Sequence, residues 1–158
     1  MSWTSLIYIV SAAIASLCFG MLFNIRGVKL IAVAVGGGLG WTLFLLLGYL
    51  VSNQAINYFI VAVVVSLFAE VMARVLKAPA SIFVAPSLIP LVPGASLYYA
   101  MRYAFGGDSS LFLQQALDTL QYAAALAIGV IVSAVMMKLV VKALLSLKER
   151  KSGDTKKT

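Results

Sequence analysis

The sequence predicts an all-α integral membrane protein of about five transmembrane helices, the fourth broken by prolines. Three observations carry this. Of the 158 residues 63% are hydrophobic and only 11% are charged, where soluble domains are about half apolar and about a quarter charged. The apolar residues come in runs of span length, roughly 20 residues each. At that length nearly the whole chain can be membrane, which leaves no room for a soluble catalytic domain.

Taken in order, the predicted spans are 3–23, 28–50, 56–76, 81–101 and 117–145, in a single transmembrane domain, 1–147, followed by a basic cytoplasmic tail, 148–158. The first run contains Ala13-Ile14-Ala15, which resembles a signal-peptidase site, but no basic residue precedes it and the apolar stretch continues to Phe23. It is therefore expected to remain as a span. The second carries GGGLG, Gly36 to Gly40, a small-xxx-small face with Gly36 and Gly40 assigned to helix packing. No Lys-Ser/Thr follows it, so it is not a phosphate loop. The turns NIRGVK, SNQAIN and KAPA are short, and RYAFGGDSS is the longest loop. In a four-span alternative the proline-rich fourth run would be re-entrant.

Charge sets the orientation. Arg26 and Lys29 fall in the first turn, none in the second, Arg74 and Lys77 at the third, and only Arg102, balanced by Asp108, in the fourth. By the positive-inside rule the N-terminus is outside and the C-terminus cytoplasmic. Trp3, Tyr49, Tyr58, Tyr98, Tyr99, Tyr103 and Tyr122 fall at the ends assigned to the outside, where an aromatic belt is expected. Only Tyr8 and Trp41 lie clearly within spans. The net charge of +7 thus reflects flanking cations and five Lys/Arg in the tail, and no nucleic-acid partner is expected; the partner surface is the lipid bilayer.

The fourth span raises the functional question. Pro86, Pro90 and Pro93 each remove a backbone N–H, so the carbonyls of Ile82, Pro86 and Ile89 are expected to lose their partners. The helix should be interrupted from about Ala85 to Gly94. Unpaired backbone survives at membrane depth only against protein or a water-filled cavity, and broken helices near the midplane are where several transporter folds hold their cargo. Pro86, Ser87, Pro90, Pro93, Gly94 and Tyr98 are therefore the candidate substrate path; a packing kink is the alternative. Glu70 and Arg74 stand four apart, oriented for an ion pair, and with Asp118 they are the candidate coupling or gating residues. Gln114, Asp118 and Gln121 form a polar stripe entering the fifth span.

The chain has no histidine and one cysteine, Cys18, so no intrachain disulfide, metal site or cofactor is expected, and no catalytic or nucleotide motif is present. An enzyme is not expected. Energy for transport must come from an ion gradient or another subunit. An odd span count also makes the chain look like half of an inverted-repeat transporter, since a tandem second copy would enter the membrane the other way up.

The run PASIFVAPSLIPLVPGASLYYAM, with its pattern P-x(6)-P-x(3)-P-L-V-P-G-x(3)-Y, the glycine-rich span before it and the five-span length, resembles the threonine/serine exporter family, specifically the small membrane subunit of its split form. The family motif falls on Pro90, Leu91, Val92, Pro93, Gly94 and Tyr98. The resemblance implies export of small polar metabolites, threonine and serine or C4-dicarboxylates such as succinate, across the bacterial inner membrane. It also implies a partner: a larger homologous membrane subunit with a cytosolic N-terminal domain, which this chain would lack. The competing expectation is an accessory or assembly membrane protein without a substrate path of its own.

Overall fold

The computed structural model describes residues 3–154, with side-chain surroundings described to Ala143 and at Ser146. Six helices account for nearly all of them: α1 (Trp3–Leu22), α2 (Val28–Leu50), α3 (Gln54–Val75), α4 (Ser81–Leu88), α5 (Gly94–Gly106) and α6 (Ser109–Asp154), with a 3-10 turn, Ile89–Leu91, after α4. No strand occurs among the described residues. Helices are what a bilayer permits, because each satisfies its own backbone.

Local chemistry sets the boundaries. Asn53 caps α3, its Oδ1 accepting from the N–H groups of Ala55 and Ile56 at 2.9 and 3.4 Å. Asp108 does the same for α6, accepting from the Leu111 N–H at 3.1 Å and the Ser110 hydroxyl at 2.9 Å. Gly107, at φ +77°, closes α5 in the left-handed conformation that glycine adopts freely. The expected nine-residue loop RYAFGGDSS therefore shrinks to Gly107 and Asp108. The glycine stop and the aspartate cap leave nothing else to break the helix, and Ser109 to Ala116 fold into α6. That helix is 46 residues long, about 69 Å by helical rise and more than twice a hydrocarbon core of about 30 Å. It also runs past the expected span end at 145 and carries the backbone of the predicted tail to Asp154; residues 155–158 and the tail's side chains lie outside the described residues.

Among the described residues four helices are long and apolar enough to cross a membrane: α1, α2, α3 and the 109–143 part of α6. The pair 81–91 and 94–106 passes the same test together, bent by 52° as a broken span or a re-entrant loop is. Helix α2 is the hub, packing on α1, α3, α4 and the 3-10 turn, while α6 packs on α3 and α5. One core, Ile25, Ala32, Val33, Ala69, Ala73 and Phe83, joins the turn after α1 to α2, α3 and α4 near the basic turns. Another, Val61, Val65 and Leu91, sits at mid-length.

The glycines of α2 are used inside this bundle. A Cβ on Gly36 would collide with the Ser87 hydroxyl of α4, and one on Gly37 with the Ser16 hydroxyl of α1. On Gly40 it would stand 3.0 Å from Leu91 Cδ1 and 3.0 Å from Val65 Cγ2. The glycine face assigned to helix packing is thus met by the chain's own α1, α3 and fourth span. A second close approach, unremarked in the sequence, joins α3 and α6: a Cβ on Gly129 would lie 2.7 Å from Ala62 Cβ and 2.9 Å from the Phe59 carbonyl.

Candidate functional site

The fourth span is broken over a shorter stretch than the prolines alone predict. Pro86 remains inside α4, and the Ile89 N–H still reaches the Ala85 carbonyl. Pro90 sits within the 3-10 turn, where its missing N–H costs little. The Ile89 carbonyl, expected to be open, accepts from the Val92 N–H at 3.1 Å. The interruption is confined to Val92 (φ −58°, ψ 132°) and Pro93 (φ −73°, ψ 60°). Tightening from α to 3-10 geometry supplies new partners close by, which is how membrane helices absorb proline.

The position of the break follows from its neighbours. Leu91 is buried against Gly40 and Val65, and both lie at the middle of their helices, so the break lies at mid-depth of the bundle. Pro93 is buried, Val92 and Gly94 are exposed, and a Cβ on Gly94 would meet nothing within 4 Å. The bend is thus free of packing on one side.

Beside it lies a cavity of 260 Å³ lined by Tyr8, Ser11, Ala12, Ala15, Trp41 and Pro90, between α1, α2 and the 3-10 turn. Trp41 Nε1 is buried with no hydrogen-bond partner, a donor that burial leaves unsatisfied. The lining thus sets the side chains of Trp41, Ser11 and Tyr8 among apolar walls. A larger cavity, 420 Å³ between α5 and α6, is lined by Leu97, Met101, Phe105, Phe112 and small residues, with Thr119 as its one polar side chain. That hydroxyl is spent on the Gln115 carbonyl at 2.7 Å.

The predicted site residues fall in separate places. Pro90 lines the mid-depth cavity, and Pro93 and Gly94 form the bend. Ser87, buried behind Pro86, donates to the Val33 carbonyl of α2 at 3.3 Å. Tyr98 is 63% exposed on α5, edge-on to Tyr99 at 5.5 Å, and does not line the cavity. Glu70 and Arg74 form an ion pair at 3.6 Å near the end of α3 that bears the basic turns, away from the break. Asp118 stands on α6 one turn from Tyr122, which stacks on Tyr58 at 5.0 Å. Gln114 and Gln121 are exposed. Among the described residues no group of three or more His, Cys, Asp or Glu stands ready for a metal.

Tyr8, Ser11 and Trp41 were not singled out from the sequence. A signal existed for two of them: Tyr8 and Trp41 are the aromatics that depart from the interfacial belt. In the structure they touch, at 6.4 Å, and head a chain of rings through Phe44 and Tyr58 to Tyr122.

A bundle of apolar helices of span length defines a multi-pass membrane protein. The chain belongs to the threonine/serine exporter family: the family described as Threonine/Serine exporter, ThrE, matches residues 8–136, from α1 into α6. That family is a class of membrane exporters rather than of enzymes. Neither a curated protein nor a solved structure matches the chain.

Proposed function

We propose that this chain is the small membrane subunit of a two-component exporter in the bacterial inner membrane, carrying threonine, serine or a C4-dicarboxylate such as succinate, and driven by an ion gradient. The observation that carries the proposal is the mid-depth break with its adjoining polar-edged cavity. The basic turns face the cytoplasm, as cations flanking membrane helices do. The partner is a larger homologous subunit with a cytosolic N-terminal domain, its membrane half inserted the other way up, so that two broken spans meet across the cargo. The exposed side of Val92 and Gly94 is where that half docks. Gly94 serves as hinge, letting α5 tilt while α4 stays held by α2, with Pro90 forming one wall of the path.

The test is the double substitution Pro90→Ala, Pro93→Ala. Each proline removed from a helix relieves a penalty of about 3 kcal/mol, so the span straightens and the variant inserts at least as well as the parent. In cells carrying the partner, efflux of labelled threonine or succinate should fall about tenfold or more, since a few kcal/mol in favour of one conformer depopulates the other by that much. Normal efflux from a normally inserted variant would make the break a packing kink and favour an accessory role.

A further inference from the structure

A further cavity, of 240 Å³, lies at the end of the bundle opposite the basic turns, lined by Phe44, Leu45, Gly48, Val51, Ser52, Gln54 and Asn57. Asn57 is only 2% exposed. Its Nδ2 donates to the Phe44 carbonyl at 3.0 Å, and this fixes the amide: the reverse orientation would set two acceptor oxygens against each other. Oδ1 is consequently an acceptor, and it has no protein donor. Buried amide oxygens are seldom left so. Access along α2 is open because Gly48 has no side chain; a Cβ there would lie 3.8 Å from Asn57 Nδ2. No charged residue is among the lining.

We propose that this cavity is a binding site for a small zwitterionic or uncharged solute that donates a hydrogen bond, from a hydroxyl or ammonium group, to Asn57 Oδ1, with Ser52 and Gln54 at the rim. Oδ1 is covered in this conformation, so the donor reaches it only as the lining opens. A dianion is excluded, because the lining offers its charges no cation, and an unpaired charge at a partly desolvated site is costly. The site deepens the exporter reading and rests on it for orientation: it is the last station before release outside. It connects to the mid-depth cavity through α2, where Trp41 of one stacks on Phe44 of the other at 5.6 Å.

The experiment uses membranes containing the chain together with its native partners. In a Cys18→Ser background, which removes the one native cysteine, Ser52→Cys is labelled with a membrane-impermeant maleimide in right-side-out vesicles. L-threonine at about ten times its Kd should slow labelling about tenfold, whereas succinate should not. Asn57→Leu and, separately, Gly48→Leu, which fills the cavity without touching the amide, should each abolish the protection. Absence of protection in the parent, protection that survives both substitutions, equal protection by succinate, or labelling confined to inside-out vesicles would each overturn the site. Efflux measured in the same cells separates the two readings: efflux without protection removes the site and leaves the exporter, while lost efflux in the parent removes the exporter itself.

Discussion

Glu70 and Asp108 show how differently two carboxylates serve this chain. Glu70, half-buried on α3, pairs with the more exposed Arg74 at 3.6 Å, the i,i+4 geometry worth about 0.5 kcal/mol in an exposed helix. That pairing gives Glu70 a structural partner. If it is structural, Glu70→Gln should leave efflux and its dependence on the proton gradient unchanged; if Glu70 couples transport, the amide should uncouple or abolish efflux, measured in vesicles with and without an imposed pH difference. Asp108 stands outside the spans, and the Leu111 N–H, followed by the Ser110 hydroxyl, holds its carboxyl below the ordinary carboxylate range. A depressed folded-state pKa means that the cap stabilises α6 fully above the ordinary range and loses that contribution as pH falls through the folded value. Asp108→Ala should therefore lower the melting temperature of the solubilised protein at neutral pH, and the gap to the parent should close on acidification.

Helices here are held by close approach more than by large side chains. Gly129 of α6 lies against Ala62 and the Phe59 carbonyl of α3, and both helices start at the same end of the bundle, so one turn further on Ser133 comes level with Ser66, both buried. This is small-xxx-small packing between parallel helices. Because a Cβ on Gly129 would press on backbone atoms that cannot turn aside, Gly129→Leu should force α6 off α3 at a cost of about 3 kcal/mol. Unfolding in mixed detergent should show that loss, while the same change at exposed Gly106, where a Cβ meets nothing within 4 Å, should leave the α3–α6 contact intact. Among the described residues helix α5 packs strongly on α6 alone, which suits the tilt proposed for it above.

At the scale of the molecule, the cations of the 24–29 and 74–77 turns gather at one end, while Tyr49, Tyr58, Tyr98, Tyr103 and Tyr122 lie towards the other. If the basic end is cytoplasmic, a reporter active only outside the cytoplasm, fused after Thr158, should stay silent, and the same reporter inserted between Ser52 and Asn53 should be active. The opposite pattern would reverse the orientation. Activity at both sites would mean that the bent pair 81–91 and 94–106 re-enters rather than crosses.

By itself the sequence determined the helical class, the apolar runs that form long helices and the neighbourhood of the break, because these depend on local chemistry: apolar length and three prolines ahead of Gly94. The extent of the break was decided by structure, since hydrogen bonds such as Val92 N–H to the Ile89 carbonyl depend on how the chain tightens around each proline. The neighbours of the break were decided there too. Nothing in the sequence pairs Tyr8 with Trp41, sets Ser87 on Gly36, or turns the Asn57 amide towards Phe44. In a soluble protein a polar face would announce which side of a helix is buried. In a bilayer lipid is as apolar as the core, so these spans are hydrophobic all round, and only the docking of small residues decides which faces meet.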